Sequence, residues 1–596
     1  MARSPLSKTL ITLAAFFGGA GVVSAESGTT SLQGYSGLIS IPDARVAAEG
    51  SIALQYNDDL ESSAPAGLHN EAVENFLFNA GIWSGIELGG RISATRKTGR
   101  GREDLSGSVK WQFYADEQWR LAAGVADFAG DAQNLQARYA AASWRHKAVE
   151  VTLGAGQGPD RLDGLFGGVR FRLFPQVDLT AEHDGLEAHL GAFARLRLTE
   201  RVSAQAILKL SSFEADRSSA GVGIEIRLGG RAEKAEGPVA PAVPQSIGVE
   251  RTGLQGRNMV ESTDSPANAM AAVRHSYDGE TLVETRYGVR LRSFDAGHTT
   301  PAVAKWASGW RHSEVASLVS PGSYSGELRA ELALRTVVAS DFGTFDYSAA
   351  IRPTARLQGP WGLGGFISTD VPVTRTDDAD PGGEYSYLRH ESGVHQAMAQ
   401  MALHPLPGVV GLVSLGRTEV DEVAYDLQHI DVAAHSPGGR HQLRIAYADF
   451  QPHDNLNFPS RETAVASYRF LWSQQNLSVR LGHGEFFYDD RGSTLDISRY
   501  FGDVSLGIFY KRRSDGEQLG GIELSLPLLA SRPVKWKRVK FYGDPRFSHR
   551  IGTRIQGPGG RNVVTRGFML EPLPQYDLID DVLDGDRAMP SLVQSN

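Results

Sequence analysis

Glu182-His183-Asp184 brings two carboxylates and an imidazole together in three residues, the side-chain types of acid–base chemistry. On a strand, Glu182 and Asp184 share a face and His183 takes the other, so the imidazole cannot work with either acid. Two carboxylates on one face could flank a glycosidic bond. A polar turn before Gly185 accounts for the same residues. His483 and Glu485 also share a strand face and could ligate a metal, but two ligands do not make a site. A polar face lining a lumen explains them as well. Gly154-Ala155-Gly156-Gln157-Gly158 has the glycine content of a phosphate loop, yet no helix follows to supply the N-terminal amides. It reads as a hairpin end. Asp489-Asp490 could bind calcium, although turn chemistry suffices for it. No catalytic, cofactor-binding or metal-binding residue is assigned, and no cofactor is implied.

The elements that would carry these residues are strands. In Leu481–Leu526, Val504, Leu506, Ile508 and Tyr510 fall on one face, and Asp503, Ser505, Gly507, Phe509 and Lys511 on the other. Asp489–Gly492 and Arg512–Gly516 supply turns of the hairpin type. The first half repeats the pattern. Leu105, Gly107, Val109, Trp111 and Phe113 alternate with Ser106, Ser108, Lys110, Gln112 and Tyr114. Val169, Phe171 and Leu173 alternate with Arg170 and Arg172; Ala194, Leu196 and Leu198 alternate with Arg195 and Arg197. Val202 to Leu210 alternates too, with Ile207 the one apolar residue on the polar face. About ten to twelve such segments precede residue 228 and about as many follow residue 326.

A soluble sandwich could bury the apolar face against a second sheet. A membrane barrel would turn it to lipid and its polar face to a lumen. Segments of about ten residues exceed the usual 5–6 of a sandwich and match the ~9–11 that cross a bilayer with tilt. Trp111, Phe113, Tyr114, Trp119, Trp144, Phe166 and Phe174 near strand ends fit interfacial girdles.

The front of the chain supports the barrel. Arg3 and Lys8 precede the apolar run Leu10–Val23, and Val23-Ser24-Ala25 suits cleavage before Glu26. The run is shorter than the ~20 residues of a spanning helix. The 596 residues carry a net charge of −9, 67 glycines and no cysteine. No basic block suggests nucleic acid, and thiol chemistry, disulfides and a lipidated cysteine are excluded.

The expected organisation is a signal peptide (1–25), a first barrel (26–228), a linker and small α+β module (229–325), a second barrel (326–540) and a C-terminal segment (541–596). The linker is Gly229–Gln245. In the module, Pro266–His275 and Ala302–Val319 have helical spacing and Thr281–Arg292 suits one or two strands; an elaborated linker is the alternative. The C-terminal segment could hold one last strand before a poorly ordered tail. The fold class is all-β with a small α+β insert, as two transmembrane antiparallel barrels of about ten to twelve strands each.

Three stretches resemble the YjbH/GfcD family of outer-membrane proteins tied to exopolysaccharide and capsule secretion. The first is Gly37-Leu38-Ile39 through Pro42-Asp43-Ala44-Arg45 to Gly50. The second runs from Asp104-Leu105-Ser106 through Gly124–Phe128, Ser143, Leu153–Gly156 and Gly164–Val169 to Glu182–Gly185. The third is Gly482–Leu526. The resemblance implies two barrels in one polypeptide and a role in polysaccharide export. It implies partners in outer-membrane lipid, in polysaccharide, and in periplasmic or outer-membrane proteins of an export system. The chain departs from some relatives in lacking a lipidated cysteine, and its middle region matches poorly. The expectation is a non-enzymatic component of the outer membrane of a Gram-negative bacterium, acting as conduit or assembly platform. A glycan- or lipid-modifying enzyme and a structural or adhesive surface protein are the alternatives.

Overall fold

The computed structural model describes residues 29–59, 73–95, 103–128, 136–228 (apart from 159–160, 200 and 213–217), 280–286 and 289–296. It also describes 327–573 apart from 342–343, 360–361, 377–378, 382–388, 407, 437–439, 454–457, 473–474, 502–503, 527–533, 537–538, 544–546, 557–562 and 565–568. The chain falls into two compact units, each built on one barrel.

The first barrel is closed and has twelve antiparallel strands. They are β1 (Ser51–Asn57), β2 (Val73–Trp83), β3 (Ile86–Thr95), β4 (Glu103–Ala115), β5 (Trp119–Ala126) and β6 (Ala137–His146). They continue as β7 (Val149–Gln157), β8 (Gly164–Phe174), β9 (Val177–His183), β10 (Ala188–Arg197), β11 (Val202–Ser211) and β12 (Ser218–Arg227). Each strand pairs with its neighbour in sequence, and β1 pairs with β12 from Ser51↔Arg227 to Asn57↔Gly221. Closure removes every open edge, which a sheet in lipid requires because unpaired backbone groups there have no water to bond.

Period-two alternation sets the two faces. Ser106, Ser108, Lys110 and Gln112 of β4 are buried inside, while Trp111 and Phe113 are exposed outside. Leu165 is 80% exposed and Leu153 67%. Apolar residues that open are what a lipid-facing wall needs and a water-facing one avoids. One rim carries tight turns at 84–85, 116–118, 147–148, 175–176 and 198–201, and the other carries the longer connections. Trp111, Phe113, Tyr114, Trp119 and Phe174 lie exposed near the tight-turn rim as a girdle. Tyr114 joins them through a bulge between Gln112 and Tyr114 that sends successive side chains outward. Phe166 does not join them. It is 3% exposed and faces inward, for a reason given below.

The lumen of this barrel is filled by the chain's own residues 29–48. They have no regular structure beyond isolated bridges, and nearly all are buried. The segment expected as a lead-in with a Pro-Asp turn is therefore the barrel's core. Tyr35, Leu38 and Ile41 pack against Tyr139, Leu162 and Phe166. Leu32 and Ile39 pack against Phe193 and Ile207. Ile207 breaks the alternation of β11 because it faces a plug rather than water. Gly168 and Gly191 leave room for it: a Cβ there would stand 2.7 Å from Leu38 Cδ2 and 2.6 Å from Ile39 Cδ1.

Of the middle region, the described residues form one antiparallel hairpin, β13 (Glu280–Arg286) and β14 (Val289–Ala296). The expected strands are present as this hairpin, and the described residues include no helix. Pro266–His275, Ala302–Val319, the linker and residues 1–25 lie outside the described residues.

The second barrel has thirteen strands, the twelve from β15 to β26 together with β29. They are β15 (Glu327–Asp341), β16 (Thr344–Gln358), β17 (Leu363–Arg375), β18 (Gly393–Leu406), β19 (Val409–Val420), β20 (Val423–His435) and β21 (His441–Pro452). There follow β22 (Arg461–Trp472), β23 (Leu477–Glu485), β24 (Arg491–Phe501), β25 (Val504–Arg513), β26 (Gln518–Leu526) and, after the short β27 (Val534–Trp536) and β28 (Val539–Gly543), β29 (Phe547–Gln556). An odd number of alternating strands leaves β15 and β29 running the same way. Their junction is closed by short pieces. β28 pairs in parallel with Leu328–Leu332, and β30 (Val563–Val564) pairs with Ala339 and Ser340 and with Thr553. Thr336 Oγ1 and His549 Nδ1 meet across it at 2.9 Å. Leu443 and Ile445 are open on the outside, and Asp431 and His429 are buried inside. On β25, Phe509 and Lys511 face inward and Ile508 outward as expected; Leu506 is buried despite its outward register.

Candidate functional site

In the first barrel, the polar lumen wall binds the backbone of the filling segment atom by atom. Glu182 of β9 accepts from Ile39 N at 2.9 Å and Ser40 N at 2.7 Å. Glu87 of β3 accepts from Ser36 N at 2.8 Å and Ala47 N at 2.7 Å. Ser143 Oγ accepts from Ala44 N, and Gln112 and Asn57 donate to the carbonyls of Ala44 and Leu32. An irregular segment has no ladder of its own, so each buried amide must find a side chain. The alternating polar residues of the strands supply them.

A charge cluster lies at the centre. Asp43 meets Arg45 at 2.6 Å, Arg170 at 3.5 Å and Lys110 at 3.9 Å. Lys110 also meets Glu87 at 3.2 Å, and Arg45 meets Glu150 at 3.3 Å. Three cations balance three carboxylates, so the burial carries no net charge. Such a cluster adds little net stability, but removing one member strands its partners at a cost of about 3–5 kcal/mol. One cavity among the described residues, about 20 Å3, lies between Gln33, Tyr35, Arg91 and Arg161. That is room for about one water.

The sequence-stretch candidates are absorbed by this architecture. Asp184 caps the β9–β10 turn, accepting from Leu186 N and Glu187 N at 3.0 Å and meeting His189 Nε2 at 3.2 Å. Burial works against its charge, yet the His189 bond, the Arg161 charge and these amides hold its carboxyl well below the usual range. Glu182 is occupied by backbone amides and His183 is exposed on the other face. Gly154 and Gly156 lie within β7, where Phe166 and Leu162 close over them. His483 and Glu485 share the outer face with the exposed Leu481, not the lumen; His483 meets Ser493 at 3.0 Å and Glu485 meets Arg491 at 2.9 Å. Asp490 is held by Arg513 at 3.3 Å and accepts from Met569 N at 2.9 Å.

In the second barrel the inner wall carries cross-strand charge pairs. Arg444 meets Asp431 at 2.6 Å, Arg550 meets Glu523 at 2.6 Å, and Arg480 meets Asp496 at 3.5 Å. Arg550 also stacks over Phe509 at 4.6 Å. Arg480, Glu523 and Arg550 keep a quarter to a third of their side-chain surface open, unlike Asp43 and Lys110. Residues 569–573 lie in the mouth at the rim bearing the 376–392 and 453–460 connections, with Leu570 and Leu573 against a cluster that includes Tyr425, Phe450 and Phe487.

The filling segment, the charge cluster and the mouth segment were not assigned from sequence. The signal available was the misplaced apolar residue, Ile207, and the inward Phe166 and Phe193.

Among solved structures, the chain is similar to the KdgM porin, with 8% identity, a TM-score of 0.22, and coverage of 30% of this chain and 98% of that one. It is similar to outer membrane phospholipase A from Escherichia coli at 11% identity and a TM-score of 0.19, covering 30% and 95%. It is also similar to the ferric citrate transporter FecA at 7% identity and a TM-score of 0.19, covering 87% and 78%. No curated protein matches the chain. Residues 29–189 match the family YjbH, described as exopolysaccharide biosynthesis protein YbjH. That match begins at the filling segment and ends at the start of β10, so the stretch similar to the YjbH family runs from the plug of the first barrel through its ninth strand.

Proposed function

We propose that this chain is a non-enzymatic component of exopolysaccharide or capsule export, embedded in the outer membrane of a Gram-negative bacterium through both barrels. The observation that carries the reading is the filled first lumen within the stretch that matches the family. Gly37 to Gly50, one of the stretches that carry the resemblance, lies in the matched residues and fills the barrel up to the start of β1, which supports a structural use. Short turns on one rim and longer connections on the other match the usual asymmetry of outer-membrane barrels and support a reading with the tight turns facing the periplasm. The first barrel then serves as an anchor and platform for periplasmic or outer-membrane partners. The second, whose wall retains solvent contact, is the part suited to a conduit.

An enzyme would need a carboxylate or nucleophile free to reach substrate. Glu182 and Asp184, the carboxylate pair visible in the sequence, are occupied by backbone amides and His189. The purified chain, incubated with the exopolysaccharide of its source, should neither shorten nor deacylate it, as read by size-exclusion chromatography and released acetate. Depolymerisation or deacylation that survives repurification would overturn the non-enzymatic reading.

A further inference from the structure

We propose that Met569–Leu573 is a strap across the loop-side mouth of the second barrel, and that its release opens the lumen to the glycan. The inference rests on the export reading and adds which barrel is the path and what gates it. Met569 is anchored at one wall: its N–H donates to Asp490, in the turn before β24, and its carbonyl accepts from Lys511 Nζ of β25 at 3.1 Å. Leu573 is anchored elsewhere, where its carbonyl accepts from Gln396 Nε2 of β18 at 3.3 Å. Between them the Leu570 carbonyl accepts from Phe487 N at 3.0 Å.

β18 and β25 are seven steps apart one way round the thirteen-strand ring and six the other, so they stand opposite each other. Thirteen strands spaced ~4.8 Å apart and tilted ~40° make a circle ~26 Å across. Five residues reach ~17 Å at most; the segment falls short of that because Leu573 N–H bonds back to the Glu571 carbonyl at 2.8 Å and Met569 has a φ of 59°, and the Lys511 and Gln396 side chains reach inward to cover the rest. The segment therefore crosses the opening instead of following its edge.

Its attachments are those of a piece that can let go. Among the described residues four hydrogen bonds hold it, three of them from wall or turn groups to its carbonyls, and the seat is apolar: Val465 and Phe486 around Met569, and Tyr425, Phe450 and Phe487 near Leu570 and Leu573. Among the described residues no buried ion pair ties it down, in contrast to the Asp43 cluster of the first barrel. Beneath it, Arg480, Glu523 and Arg550 remain in contact with solvent. Arginine and carboxylate groups beside Phe509 offer the planar donors, acceptors and ring face that sugar hydroxyls and C–H faces bind.

The test uses the full chain and two variants, a truncation after Gly567 and the double substitution Leu570→Asp with Leu573→Asp. Each is reconstituted in planar bilayers after heat-dependent gel migration shows that it is folded. Wild type should conduct little, and both variants should conduct severalfold more, with liposome swelling admitting larger oligosaccharides. Folded variants whose conductance and size cut-off equal those of wild type would overturn the strap. Glycan release from cells carrying each variant separates the two claims. Variants that conduct more while release proves independent of the protein keep the strap and sink the export reading. Unchanged conductance in variants of a protein that release requires does the reverse.

Discussion

Glu182 illustrates how the lumen side chains act: it supplies the acceptor that two amides of an irregular segment lack. Removing it as Glu182→Ala leaves Ile39 N and Ser40 N buried and unpaired, at roughly 1–3 kcal/mol for each donor. The denaturant midpoint of the folded, heat-modifiable form should fall, with Glu182→Gln, which keeps one acceptor oxygen, in between. A Glu182→Ala protein as stable as wild type would mean that the segment is not held this way. Asp421 makes a second residue-scale case, at the β19–β20 turn. Asp421 and Glu422 both adopt positive φ, at 48° and 68°. Burial, with the neighbouring Glu422 charge, pushes the Asp421 carboxyl up to about 6. A raised carboxyl stabilises the fold while protonated, so its contribution is complete in acid and is lost as pH climbs through about 6. Asp421→Asn should gain in unfolding temperature over wild type between pH 4.5 and pH 7.5. A gap that is constant across that range would contradict the assignment.

At the scale of elements, the outer wall should tolerate only apolar residues in lipid. Ile445 on β21 is 66% exposed on the outside. Ile445→Arg should cost on the order of 2–4 kcal/mol when folding is measured in lipid vesicles, if the site lies near the midplane. Ile445→Phe should be close to neutral; equal folding yields would show that this face does not meet lipid. The strands were legible because period two is a local property: the faces of β4, β8 and β11 can be read from adjacent residues. Bulges were not, which is why Tyr114 stands on the face opposite to its parity. The outward position of His483 was missed for a different reason. A polar residue near the end of a long strand can project above the apolar band on the outer face, and only the register with Leu481 tells the two faces apart. The filling segment was hidden because its partners lie far along the chain, as with Ile39 and Glu182. Such pairings leave one local trace, an apolar side chain such as Ile207 on a polar face.

For the whole molecule, the account is of two barrels closed by their own chain in two ways, one filled by a segment near the front and one crossed by a segment near the end. The glycan role belongs to this scale, because no single residue performs it. The most direct measurement is the distribution of polysaccharide in cells lacking the protein, with wild type restored on a plasmid. Released and cell-retained polymer would be quantified by sugar analysis after fractionation into medium, periplasm and cytoplasm. The account predicts that released polymer falls sharply and that polymer of unchanged composition accumulates inside the outer membrane, with recovery on complementation. Normal release with no retained polymer would contradict it.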